Sequence, residues 1–355
     1  MENSKVAVLS LRDYPFVGWV AIDEFEDLLA RVSGCQILAP SRRPNLPKLF
    51  ERIRNRTIGK FAPIGHFSQS RELLIVVARS PADLQIVHSI SNVRKSFRNI
   101  AAFVIDSYFI DAFNHDTKLF DHVFTTTEEG ADAVRQRFGV ASSVLRQGFD
   151  CLNWACVDEV RSIDLVGFGR QPPGYHHAFQ DAFHRVGSPV LYLHSPIGTI
   201  SGDAVRKERP MLIKLLQRSK VSLAFHLGVQ PQNSRPISAD FVTSRWFESL
   251  AAGCIVAGKK PPGSMAKEMF PWPDATIELP DDPVEAAEVI VAVTSNSNSL
   301  NGQRMRNVVE MCSRHDWRYR IREIYEHFNV PLPPPLISEL EQLNTCIKRL
   351  RASDS

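Results

Sequence analysis

The stretch Asp240-Phe-Val-Thr-Ser-Arg-Trp-Phe-Glu-Ser-Leu-Ala-Ala-Gly-Cys-Ile-Val-Ala-Gly258 reads as loop, amphipathic helix, glycine stop and short buried strand. Val242, Trp246, Phe247, Leu250 and Ala251 recur at helical spacing. Thr243 or Ser244 can cap the helix by accepting from a free backbone N–H. Gly253 can adopt the left-handed conformation that ends a helix. Cys254 to Ala257 is an apolar run of the kind buried on both faces of a parallel sheet.

Two acids stand out in this stretch. Glu248 lies inside the apolar helix, eight positions after Asp240. On a regular helix that spacing turns about 80° past two full turns, so both carboxylates can face one side. A carboxylate near a helix N-terminus suits a sugar diol, since it accepts two hydrogen bonds and is not repelled by the helix end. Spacing alone equally allows a solvated Glu248 and an Asp240 that only turns a loop.

The same residues resemble the sugar-nucleotide segment of retaining glycosyltransferases built from two Rossmann-like domains, the GT-B fold. That family carries an E-x7-E pattern here, which this chain shows as Asp240-x7-Glu248. Thr243-Ser-Arg-Trp-Phe-Glu-Ser-Leu-Ala-Ala-Gly253 and Lys220-Val-Ser-Leu-Ala-Phe-His226 look most like the spore-maturation-protein type, where an Arg three residues before the Glu is usual. The resemblance implies a metal-independent transferase using a nucleotide-activated sugar. Under it Glu248 holds the ribose, Asp240 holds a donor-sugar hydroxyl, and Lys220, His226, Ser244 and Arg245 join the donor contacts. Glu248→Ala is then expected to weaken nucleotide binding without unfolding the chain.

Composition sets bounds on the rest. The 355 residues suffice for two domains. A 44% hydrophobic and 23% charged content is that of a globular protein, and a net charge of +3 does not point to nucleic acid. Six cysteines without CxxC pairs suit free thiols in a reducing compartment and offer no metal site. No apolar run approaches the ~18 residues of a membrane span. The N-terminus leads directly into Val6-Ala-Val-Leu9, so a cytoplasmic protein without a signal peptide is expected.

The first half alternates strands and helices: Val6–Leu11, a helix over Val20–Val32 stopped by Gly34, Leu73–Ala78, Ile100–Ile105 and Asp121–Thr125. The first loop is not GxGxxG, which removes the dinucleotide fingerprint. Residues 40 to 72 hold a basic excess that includes Arg42, Arg43, Lys48 and Arg52. It is read either as a solvated face or as a patch for an anionic acceptor or a membrane surface. Asp106, after a strand, can reach a ligand or cap the next helix. His66 sits in a glycine-bearing loop; retaining GT-B enzymes often use a His near the donor sugar, which makes His66 a candidate by resemblance.

The alternation restarts with the strand Ile163–Gly167, the loop Phe168-Gly169-Arg170-Gln-Pro-Pro-Gly174 and a helix from Tyr175. Such a unit offers free N–H groups and a helix N-terminus to phosphate. A Gly-Arg pair here fits the family, but the Lys that many members place shortly afterwards is missing. Arg170 then acts with a His or with Lys220, or the phosphate grip is weaker. Leu336, Leu340, Leu343, Ile347 and Leu350 alternate four and three apart, which suits docking on the chain itself or a homodimer contact.

The expectation is thus an α/β GT-B protein whose two Rossmann-like domains face a central cleft. Residues 1–150 form the acceptor-side domain, 151–330 the nucleotide-sugar domain and 331–355 a helical tail. Its partners are a nucleotide-sugar and a glycan or lipid-linked acceptor, with polysaccharide biosynthesis as the setting and no cofactor. The rival readings are a catalytically inactive scaffold of the same fold and a nucleotide-sugar epimerase.

Overall fold

Each half of the chain carries a set of short, apolar, β-branched-rich runs, and each set forms its own parallel sheet. The computed structural model describes residues 5–12, 17–44, 60–65, 67, 70–158, 160–194, 203–229 and 240–353. The chain divides into two units. The first is Met1–Gln147 with Arg320–Ser338, and the second is Gly148–Tyr319 with Glu339–Ser355.

In the first unit six strands run in the order β2-β1-β3-β4-β5-β6. They are β1 Val6–Ser10, β2 Ile37–Leu38, β3 Arg71–Ala78, β4 Phe97–Val104, β5 His122–Thr125 and β6 Ala141–Val144. Every neighbouring pair is parallel. Helix α1, Val20–Ser33, buries Phe25, Leu28, Leu29 and Val32 and ends at Gly34, whose φ is 61°. Pro81–Ser89 winds as 3-10 turns and Val93–Ser96 forms the short α2. Helix α3, Glu128–Phe138, begins where Thr127 Oγ1 accepts from Gly130 N at 3.1 Å.

The second unit opens with the short α4, Cys151–Trp154, and then builds a five-stranded sheet in the order β11-β10-β9-β7-β8. The strands are β7 Ile163–Gly167, β8 Tyr192–His194, β9 Ser219–Phe225, β10 Ile255–Lys259 and β11 Thr276–Glu278, again all parallel. The helices are α5 Pro173–Phe183, α6 Asp203–Gln217, α7 Ser244–Ala251, α8 Met265–Met269, α9 Pro283–Ser295 and α10 Ser297–Arg314. One core packs Trp246, Phe247, Leu250, Ile213, Leu216, Val308 and Met311; the other packs Phe179, Phe183, Leu223, Ile255 and Ile290. The architecture is two parallel α/β sheets with flanking helices, as the strand pattern requires.

The C-terminal segment departs from a separate tail. Helix α11, Trp317–His327, starts in the second unit, and its residues from Arg320 onward belong to the first. There Arg320 Nε donates to Arg146 O at 3.0 Å and Tyr325 Oη bonds Ser33 Oγ at 2.6 Å. Helix α12, Pro334–Ser353, returns to the second unit at Glu339. Its apolar stripe is already used: Leu336, Leu340, Leu343 and Ile347 are buried, and the last two join the core around Trp246. That removes the ground for a homodimer through this stripe. Arg318, wholly buried, ties this region together within the second unit through Asp150, Asp316 and Glu339 at 2.7–3.0 Å.

His122 opens β5 and packs on His327, with ring centroids 3.9 Å apart. Its Nε2 meets Ser143 Oγ at 2.9 Å, and Nδ1 is buried without a partner among the described residues. Burial, followed by the charge of His327, pushes the His122 pKa down to about 4. An unfolded histidine titrates near ~6.5, so the unfolded chain binds the extra proton first as pH falls. Stability from neutral His122 is full above that value, declines below it and is gone under about 4. Urea unfolding between pH 7.5 and 4.5 should therefore show a falling midpoint. In His122→Asn the slope should be reduced; an unchanged slope would assign the effect to other groups.

Candidate functional site

In an open parallel sheet, ligands bind beyond the strands' carboxyl ends, where neighbouring loops diverge at a reversal of strand order. In the second unit that reversal lies between β7 and β9. The loop after β7 turns at Gly169, whose φ is +67° and which is exposed. Arg170 and Gln171 follow. Arg170 Nε and Gln171 Nε2 are buried and have no hydrogen-bond partner among the described residues. Tyr192 Oη donates to Gln171 Oε1 at 3.1 Å, fixing the amide at its other end.

Helix α7 begins beside this loop. Its N-cap Thr243 makes no side-chain cap bond, contrary to the capping expected of Thr243 or Ser244, and Thr243 Oγ1 is buried unpaired among the described residues. No N-cap side chain therefore takes the first N–H groups of the helix, those of Ser244 and Arg245, which suits an anion, while Trp246 N donates to Thr243 O at 3.2 Å. Arg245 Nη1 donates to Phe168 O at 3.2 Å and Arg170 O at 2.7 Å. A Cβ on Gly169 would stand 3.3 Å from Arg245 Cζ, so the loop's backbone rests on the guanidinium. Arg245 keeps some solvent exposure, yet its charged end lies deep. Desolvation, then the like charge of Arg170, lowers its pKa to about 10, while Glu248 opposes the shift.

Other strand ends add charge. His226 follows β9; its N–H donates to Lys259 O at 3.0 Å and its Nδ1 accepts from Gly228 N at 3.1 Å. Burial lowers its pKa most. Glu278 opposes this, and the positive charges of Arg170 and Lys259 add to the lowering. Lys259 ends β10 and pairs with Asp281 at 2.6 Å. It is a cation at the carboxyl end of the sheet, where the Lys-Lys pair closes the apolar run before Pro261.

The two acids are placed differently from the expectation. Glu248 is only 3% exposed, and its Oε1 pairs with Arg209 of α6 at 3.0 Å. Asp240 Oδ2 accepts from Met265 N at 2.8 Å, which caps α8, while Oδ1 is buried without a partner among the described residues. Gly263 leaves room for that carboxylate, since a Cβ there would fall 2.1 Å from Asp240 Oδ2.

Lys220 is corrected. It is the second residue of β9, at the amino end of the sheet, paired with Asp164 of β7 at 2.7 Å. Five residues of strand put it about 16 Å along the chain from the rim that carries Arg170. Asp106 stands in the first unit after β4 and accepts from Trp19 Nε1 at 3.0 Å. His66, Lys48 and Arg52 lie outside the described residues. Gly169, Arg170, His226, Ser244 and Arg245 gather around one reversal point. Among the described residues no group of three metal-ligating side chains occurs, and no helix is long and apolar enough to cross a membrane.

The Glu248–Arg209 pair changes the expected effect of removing Glu248. Glu248→Ala removes one partner of a buried ion pair, a change that costs about 3–5 kcal/mol. Urea denaturation should register that loss, so the fold is not left intact. A loss under about 1 kcal/mol would mean that the pair behaves as a solvated one.

No curated protein matches the chain by sequence. Residues 181–326 match the family described as glycosyl transferase-like. Among solved structures, the phage T4 alpha-glucosyltransferase in complex with UDP-glucose and abasic-site DNA aligns over 91% of this chain and 99% of its own, at 11% identity and a TM-score of 0.57. AviGT4, a glycosyltransferase of avilamycin A biosynthesis, aligns over 91% and 97% at 13% identity and 0.49. The UDP-GlcNAc 2-epimerase of Methanocaldococcus jannaschii aligns over 82% and 92% at 8% identity and 0.37. Of these three, the first is similar enough in shape to carry the fold. The spore-maturation type stays an expectation from the wording of two stretches. Residues 181–326 are thus similar to the glycosyl transferase-like family, and the two parallel sheets with their flanking helices have the GT-B fold.

Proposed function

We propose that the chain moves a sugar from a nucleotide-sugar donor to an acceptor, with the second unit holding the donor. One observation carries this reading: the reversal point of the second sheet is cationic and unsatisfied. Arg170 forms no ion pair among the described residues, and Arg170 Nε, Gln171 Nε2 and Thr243 Oγ1 lack partners there. Exposed Gly169 and the uncapped start of α7 adjoin them. Buried donors without acceptors are costly unless a ligand supplies the acceptor. A diphosphate does so with its oxygens, and its charge suits Arg170 and the helix N-terminus.

The proposed chemistry follows from that placement. As the sugar–phosphate bond breaks, negative charge grows on the departing nucleoside diphosphate. Arg170, the loop N–H groups and the start of α7 stabilise it electrostatically, and fixed donors of this kind need no reorganisation during the step. Lys259 lends further positive charge from β10. Glu248 takes the ribose hydroxyls, and Asp240 Oδ1 takes a hydroxyl of the donor sugar. Retention of configuration rests on the family resemblance. The acceptor is a glycan, a lipid-linked glycan or another hydroxyl-bearing molecule.

The scaffold reading keeps one specific support: Asp240 already spends an oxygen on Met265 N, leaving half of its carboxylate for a sugar. A thermal-shift screen with UDP-, GDP-, ADP- and CMP-sugars, followed by product analysis with and without acceptors, separates the readings. Acceptor arms should include glycans, lipid-linked glycans and duplex DNA. A transferase is expected to gain stability with one nucleotide class and to release that nucleotide faster with an acceptor. Binding without turnover would favour the scaffold, and a changed sugar with donor alone would favour the epimerase. Arg170→Ala is expected to weaken the preferred nucleotide by about tenfold or more, the loss of one charge-assisted contact.

A further inference from the structure

We infer that the outward face of α6 is a docking surface for an anionic lipid bilayer, on which the second unit rests without crossing it. The surface is made of residues outside the donor site, and the inference does not depend on the donor reading.

Helix α6 turns Val205, Arg209, Ile213 and Leu216 inward, all of them buried, and Ile213 and Leu216 join the core around Trp246. The other side carries Lys207, Met211, Lys214 and, directly after the helix, Arg218, spaced four, three and four apart. That spacing keeps the four within about 60° of one another and spreads them over about 16 Å. All four are exposed, Met211 by 43%. Half-buried Leu215 follows Met211 by one turn on the flank of this stripe.

The charges of the stripe are not balanced by the protein. Lys207, Lys214 and Arg218 make no ion pair or side-chain hydrogen bond among the described residues. Exposed arginines on other helices meet an acid three or four residues away: Arg135 with Asp132, Arg314 with Glu310 and Arg322 with Glu326. On α6 the nearest described acid, Glu208, stands about 100° round from Lys207. Beyond Arg218 the patch ends at the linker, where Ile163 N donates to Arg218 O at 3.0 Å and Asp158 is exposed.

Three unpaired cations in a row call for a polyanion, and Met211 decides which kind. A soluble polyanion gains nothing from an exposed thioether between two lysines. A bilayer does, because apolar tips enter the boundary beneath the headgroups while lysine and arginine heads stay among the lipid phosphates. Cations beside an apolar tip on one convex line thus fit a negatively charged lipid surface.

Vesicle co-sedimentation of the full chain tests this, with phosphatidylcholine alone and with phosphatidylcholine mixed two to one with phosphatidylglycerol. The wild type should bind the anionic vesicles, release them at high salt and leave the neutral ones unbound. Each cation near such a surface contributes about fivefold, so Lys214→Gln should weaken binding about fivefold, and Lys207→Gln, Lys214→Gln and Arg218→Gln together about a hundredfold. Met211→Ser should weaken vesicle binding about tenfold and leave heparin binding unchanged. Should the triple variant not fold, Lys214→Gln and Met211→Ser decide. No binding of anionic vesicles by the wild type overturns the inference. So does vesicle binding that persists in the charge variants, which would place the contact on another face. Vesicle binding indifferent to Met211→Ser, with heparin held equally well, would assign the stripe to a soluble polyanion and overturn the bilayer.

Discussion

Helix α7 carries Arg245 and Glu248 three residues apart, and the carboxyl end of the second sheet is arranged around these two charges. Arg245 supports the glycine loop from beneath through the carbonyls of Phe168 and Arg170. Glu248, deeper on the same helix, is balanced by Arg209. A helix that buries Trp246, Phe247 and Leu250 in the core holds both charges rigidly. The site is therefore held by packing, and its polar groups do not have to move into place.

The two units furnish the same topological feature with different charges. In the first sheet the strand order reverses between β1 and β3. There the strand ends are closed by their own charges. Arg79, 1% exposed, pairs with Glu26 and Asp23 of α1 and donates to Ser10, while Arg12 joins Glu26 from the other side. These charges pair with one another within the first unit. In the second sheet the equivalent place has, among the described residues, buried donors without partners and an exposed glycine.

Much of the architecture was legible because it depends on local patterning. Apolar runs such as Leu73–Ala78 and Ile163–Gly167 can be little else than buried strands, and Gly34 and Gly253 end helices where only a left-handed residue fits. The failures have equally local causes. Lys220 was valued for its place in a familiar wording, although a residue before an apolar run stands at a strand's amino end. Arg209 was missed because it precedes a proline, and α6 nevertheless runs from Asp203 through Pro210. The partners of Asp240 and Glu248 come from residues 25 and 39 positions away, and no periodicity encodes such pairings. The leucine stripe of α12 shows the same limit: its spacing specifies a buried face and leaves open what buries it.

Amide hydrogen exchange, with and without the nucleotide-sugar that binds best, tests the central claim most directly. Protection should appear in two segments, 167–176 and 240–248, where the glycine loop and the start of α7 present their N–H groups. In the first unit the strand ends closed by Arg79 and Glu26 should remain unchanged by nucleotide. Saturating ligand that leaves both second-unit segments unprotected, or that protects residues 10–12 and 79–80 in their place, would contradict the account.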